Sequence, residues 1–260
     1  MEDSHDQDDG RYAAVRQYTL AQILAVWAAA AVPMGVLAWI VAPWLRDQLG
    51  GRDPFVEALL ICLTVGLIWQ FVLILILLRR ELGGLQWSRV IDALWLRPPR
   101  DPKTGHVGRR VWWWVLLFLA LSSLLNAAVP SIPTGPSPRD LPDFLDSDRA
   151  EDFFSGAWGW FAVVVVLLVF NTVLGEELLF RGLLLPRMRA AFGRRDWVAN
   201  GFLFGIYHLH QPWSIIPSVI DGILFQAYPS RRFQSAWMGI IVHSAPAVFI
   251  GGVILGLVLK

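Results

Sequence analysis

Cysteine is almost missing from this chain. Its 260 residues include one, Cys62, set in an apolar run, so an intrachain disulfide is excluded and the redox compartment is left open. Charge is scarce as well: 17% of residues are charged against 55% hydrophobic, with 14 tryptophans and a net charge of +1. That balance excludes an ordinary soluble domain and predicts a polytopic membrane protein. Nucleic acid is not among its expected partners. The first ten residues contain five acids and no lysine or arginine, the reverse of the basic start of a cleavable signal. Residues 1–16 are therefore expected to be a disordered acidic tail, and the first apolar segment a retained anchor. The chain ends Gly-Leu-Val-Leu-Lys, so it is expected to carry no prenylation box of its own. No repeat relates its two halves, which argues against a transporter built on duplicated helices.

What is present is a succession of apolar runs, and these predict an all-α transmembrane bundle of about seven membrane segments. Leu20 to Leu45 and Pro54 to Leu78 are long enough to cross ~30 Å of hydrocarbon. Leu82 to Arg110 is rich in arginine, with Leu85, Trp87, Val90, Ile91, Leu94 and Trp95 spaced as in an amphipathic helix lying at the interface. Val111 to Val129 opens on three tryptophans, as at an aromatic belt. Pro130 to Asp152 reads as an exposed, irregular loop. A fourth span runs from about Phe154 to Leu185. The stretches 197–210 and 213–228 are short for crossings and read as tilted or re-entrant. Ser235 to Leu259 is the final span. The chain divides into the tail, membrane helices over 17–153, and a core over 154–260.

Loop charges predict the orientation. With the amino terminus inside, Arg11, Arg16, the bases between Arg79 and Arg110, those from Arg187 to Arg195, and Arg231 with Arg232 are cytoplasmic. Arg46, Arg52, Arg139, Arg149 and Lys260 fall outside, so positive charge is concentrated inside. The plasma membrane is the expected location.

The least expected residues are Glu176, Glu177 and Arg181, driven into the end of an apolar run from Ala157 to Phe170. A charge at membrane depth costs ~2.5–3.5 kcal/mol or more unless it is paired or faces a wet cavity. Glu177 and Arg181 are i and i+4 and share a helix face, whereas Glu176 lies about 100° away. Two readings follow: a structural ion-pair knot, or an anchor pair, Glu177 with Arg181, beside a Glu176 poised by desolvation as a general base.

Two more membrane segments hold ionisable groups. Asn200, Phe204 and His208 form one stripe at helical spacing, and His243 lies in the last span. His210 would point about 200° from His208 on a regular helix. A glutamate base, a histidine that helps to hold a water and a second histidine that donates to an oxyanion would suffice for amide hydrolysis without a covalent intermediate.

Glu176-Glu177-x-x-x-Arg181, then Phe204-x-x-x-His208, then His243 resemble the three motifs of the CPBP family, the CAAX prenyl proteases of the Rce1 type and their bacteriocin-processing relatives. The resemblance covers about 155–250. It implies an intramembrane endopeptidase in which Glu176 and His208 activate water, His243 helps to form the oxyanion hole, Glu177, Arg181, Phe204 and Asn200 support the site, and no cofactor is required. The implied substrate is a membrane-embedded or lipid-anchored peptide, reached from the cytoplasmic side. The family pattern places an asparagine four residues after the last histidine, but here position 247 is Ala247. Asn171 and Asn200 are the candidates to replace it.

Two rival readings remain. Glu176 or Glu177 with His208 and His243 would make a zinc ligand set, although Arg181 beside them disfavours a cation. Ala247 fits a non-catalytic scaffold or immunity-type protein that has kept the fold.

Overall fold

The computed structural model describes residues 15–128 and 139–260. The acidic tail up to residue 14 and positions 129–138 of the Pro- and Asp-rich loop lie outside the described residues. Among the described residues every regular element is helical. We number the main helices α1 (Leu20–Arg46), α2 (Pro54–Leu82), α3 (Trp87–Ala93), α4 (Arg109–Ala128), α5 (Leu141–Leu145), α6 (Asp148–Phe154), α7 (Trp158–Arg187), α8 (Asp196–Tyr207), α9 (215–233) and α10 (Trp237–Val258). Four of them, α1, α2, α7 and α10, are long and apolar enough to cross a membrane. Val32, Ile40, Trp44, Val248 and Phe249 on these helices are exposed, as befits a surface that meets lipid.

The helix ends follow from local chemistry. Thr19 and Gln22 form a reciprocal capping box at the start of α1. Asp53 accepts from the Val56 amide, with Pro54 at the first turn of α2, and that helix stops at Gly83, whose φ of 69° is left-handed. Gly156, with φ 65°, separates α6 from α7, so the fourth span begins at Trp158 and not at Phe154.

Two faces of the bundle are knit by polar contacts. On the first, Arg187 is fully buried and makes a bidentate pair with Glu81 at 2.9 and 3.0 Å, while also donating to the carbonyls of Ala93 and Leu183. Arg187 is thus an internal tie and not a loop base. Arg231 pairs with Asp196 at 3.1 Å on the same face. On the second, Arg149 pairs with Asp53, Lys260 with Glu151 at 2.9 Å, and Arg52 donates to the carbonyl of Ser155 at 2.6 Å.

The structure corrects two expected segments. Residues 82–110 do not form one interfacial helix: between the end of α2 at Leu82 and the start of α4 at Arg109, only Trp87–Ala93 is helical. Val90, Ala93, Leu94 and Trp95 are buried in the protein core with Leu178, Leu179 and Leu183, so their apolar side faces protein and not lipid. The end of the presumed irregular loop forms α5 and α6, because Phe144, Phe153 and Phe154 pack together edge to face and against Ile254 and Val258.

The short stretches after residue 195 make a helical hairpin. Gly201 and Gly205, four apart, let α8 lie directly on α9. A Cβ at Gly201 would stand 2.4 Å from the Ile223 nitrogen, and one at Gly205 would stand 2.1 Å from Val219 Cγ2. The Asp196–Arg231 pair closes the open end of this hairpin. Trp27 and Trp39 of α1 donate to the carbonyls of Leu203 and Leu209, fixing the hairpin beside the first span.

Candidate active site

The glutamate pair lies between two π-helical turns, Phe170–Gly175 and Leu178–Leu184. Such turns widen a helix locally and free carbonyls from the regular ladder, and they recur at functional sites. At Gly175 the chain passes close to α2: a Cβ there would lie 2.6 Å from the Phe170 carbonyl oxygen and 3.1 Å from that of Leu67. This close approach brings the next turn of α2, with Gln70, beside the pair.

Glu177 and Arg181 are both fully buried and bonded at 2.8 Å, as their spacing predicts. The same carboxylate oxygen lies 3.0 Å from His243 Nδ1. Arg181 also reaches the Gly222 carbonyl at 3.4 Å and stacks on the Phe204 ring at 4.0 Å. Gly239 on α10 gives this carboxylate its room, since a Cβ there would stand 2.7 Å from Glu177 Oε2. Ser244, next to His243, donates to the Thr172 hydroxyl at 3.1 Å, which holds α10 to the first π-turn.

Glu176 is 2% exposed and, among the described residues, makes no ion pair. Its partners are neutral donors. With the Asn171 amide turned so that nitrogen faces the carboxylate, that nitrogen lies 2.9 Å from both oxygens of Glu176. The Tyr207 phenol stands beside Glu176, and Gln70 Nε2 donates to the Tyr207 hydroxyl at 2.6 Å.

His208 Nδ1 lies 3.0 Å from the Phe204 carbonyl. A carbonyl only accepts, so Nδ1 carries a proton and, in the neutral ring, Nε2 keeps its lone pair. The Phe204 ring packs edge-on against both imidazoles, with centroids 4.9 Å from His208 and 5.7 Å from His243. Phe204 is thus the common wall between the two motif histidines. No hydrogen bond joins Glu176 to His208 or to His243 among the described residues.

Two sequence expectations change here. Asn200 does not turn towards the glutamates: its amide donates to the Phe180 carbonyl at 2.8 Å, a group in the second π-turn. It fastens α8 to α7. His210 does not point away from His208, because α8 ends at Tyr207 and residues His208–His210 form a 3₁₀ turn. The two rings stack, with centroids 5.5 Å apart and planes 24° apart.

Sequence reading missed Gln70 and Tyr207. Gln70 was detectable as the one amide in the middle of an otherwise apolar α2. Tyr207 adjoins the motif histidine but breaks the Asn200, Phe204, His208 stripe, and its partner Gln70 comes from α2, 137 positions away. Among the described residues no three His, Cys, Asp or Glu side chains group as a set of metal ligands.

Comparison with curated proteins and with solved structures gave no match. The family model "Type II CAAX prenyl endopeptidase Rce1-like" matches residues 158–249, which contain all three motifs. The similarity to this family therefore spans the segment from the first residue of α7 to just beyond His243.

Proposed function

We propose that this chain is an intramembrane endopeptidase in which Glu176 is the general base. One observation carries the reading: Glu177 is engaged by Arg181 and His243, whereas Glu176, equally buried, has only neutral donors around it. One glutamate of the pair is neutralised by cations and the other is free to accept a proton.

In this reading Glu176 takes a proton from a water whose second hydrogen is held by His208 Nε2. The water oxygen attacks the scissile carbonyl carbon, and the carbonyl π electrons move onto oxygen. His243 donates to that oxyanion from Nε2. Its Nδ1–H is already given to Glu177, so a proton on Nε2 makes the ring an imidazolium, with the Glu177 carboxylate as its counter-charge. Collapse of the tetrahedral intermediate breaks the C–N bond, and Glu176 returns its proton to the leaving amine. No metal enters this scheme.

The substrate is a membrane-embedded or lipid-anchored peptide, and the prenyl wording of the family description supports a prenylated one. We assign the face carrying Arg187 and Arg231 to the cytoplasm, with the amino terminus on that side, from the concentration of basic residues there.

The test is cleavage of a farnesylated peptide ending in Cys-aliphatic-aliphatic-X by the purified protein in lipid nanodiscs. Glu176→Gln should fold normally and lose ~10²–10⁴-fold in rate, the usual worth of a general base, and His208→Ala should lose a similar factor. If Glu176→Gln cleaved as fast as the unaltered protein, the assignment would be wrong. A well-folded protein inert towards every membrane peptide offered would favour the scaffold reading, to which Ala247 already lends weight.

A further inference from the structure

The Glu176 carboxylate is surrounded by groups that no family motif contains, and their geometry points to a role. We propose that Tyr207 and Asn171 are positioning residues that fix the carboxylate of Glu176, and that Gln70 steers the Tyr207 proton towards it. This rests on the reading of Glu176 as the base.

A buried carboxylate without a counter-ion must be met by hydrogen-bond donors. Two elements supply them. Asn171 stands five residues before Glu176, and the π-helical turn Phe170–Gly175 brings positions i and i+5 into register, where an α-helix would align i and i+4. Its amide nitrogen, 2.9 Å from both oxygens, fixes the plane of the carboxylate. Tyr207 comes from α8. Both Tyr207 and Gln70 are fully buried, so no bulk water competes for the phenol.

Gln70 decides what that phenol does. Its Nε2 donates to the phenol oxygen at 2.6 Å, so the hydroxyl hydrogen must be given elsewhere, and Glu176 is the acceptor beside it. A carboxylate has about four lone-pair directions. The amide and the phenol occupy most of them and leave the remainder for a water. Neither Asn171 nor Tyr207 need touch the substrate. Each acts through Glu176, by holding the atom that must meet the water's proton, and a displacement of ~1 Å at such an atom can cost ~10²-fold in rate.

The experiment uses the full chain in nanodiscs and pairs infrared spectroscopy with turnover. The Glu176 carboxyl band is assigned as the one lost in Glu176→Gln. Tyr207→Phe and Asn171→Leu should each move that band, and Gln70→Leu, which leaves the phenol in place, should move it less. With the farnesylated peptide, Tyr207→Phe should lower kcat by ~10–10²-fold and leave KM within about twofold, the split expected of a group that aligns a catalytic atom. A merely structural tyrosine would leave the band in place. If Gln70 instead accepts from the phenol, Tyr207→Phe will leave the Glu176 band unmoved and the proposal is overturned. Should Tyr207→Phe fail to fold, Gln70→Leu and Asn171→Leu decide by the same band. Should Glu176→Gln remain active, the base assignment fails, and the band shifts still report separately on whether these residues hold the carboxylate.

Discussion

Glu177 and His243 meet through a 3.0 Å contact between Oε1 and Nδ1, across α7 and α10, on the same oxygen that Arg181 holds at 2.8 Å. One carboxylate therefore ties the last span to the motif helix and orients its histidine. Removing it should be costly in two ways.

Glu177→Gln and Arg181→Ala should each lower stability by ~3–5 kcal/mol, because breaking a buried pair from one side leaves an uncompensated charge. Thermal unfolding in detergent measures the loss. Glu176→Gln, which breaks no ion pair, should unfold close to the unaltered protein. Equal destabilisation by all three substitutions would contradict this division between the glutamates.

Gly239→Ala tests the same contact without changing any charge. The added methyl would stand 2.7 Å from Glu177 Oε2 and 2.9 Å from Ser230 Oγ, so the carboxylate or α10 must move. Turnover should fall by ~10-fold or more as His243 is displaced. Unfolding should change by only ~1–3 kcal/mol, the usual cost of overpacking.

Gly205→Val should be worse for folding than for chemistry. Val219 and its backbone already occupy the space beside Gly205, so α8 would be forced off α9. Loss of the monodisperse peak in detergent chromatography is the expected outcome. A normal profile would mean that the hairpin does not pack through Gly201 and Gly205.

The bundle, the motif residues and the Glu177–Arg181 pair were legible in the sequence, since each rests on apolar runs or on 3.6-residue spacing. The failures have one physical origin. Spacing rules assume regular helices, and this chain departs from them at the residues that matter. Asn171 reaches Glu176 because the helix is π at that point, and His210 stacks on His208 because α8 has ended. Trp95 and Leu94 point into protein because residues beyond Ala93 leave the helix. Gln70 and Tyr207 meet across α2 and α8, 137 positions apart in the chain, which sequence spacing does not encode.

Ala247 is the place to test the oxyanion hole. It lies one turn beyond His243 on the same helix face and is largely buried. If the oxyanion lacks a second donor, Ala247→Asn should raise turnover of the farnesylated peptide by up to ~10²-fold. An unchanged rate would mean that another group already donates.

Metal dependence has its own outcome. Chelation should leave cleavage unaffected, and the purified protein should hold no stoichiometric zinc by elemental analysis. Loss of activity on chelation, restored by zinc alone, would replace the metal-free scheme.

The π-turn at Phe170–Gly175 has a genetic consequence. It is equivalent to an α-helix with one surplus residue, so a single-codon deletion at Val173 would restore the ordinary pitch and leave the residues beyond it on the faces they already occupy. Asn171 would then stand four residues before Glu176, the spacing that an α-helix aligns, and the glutamates would still look towards His243 and Tyr207. The same deletion in the regular part of α7 would instead turn the glutamates by about 100°.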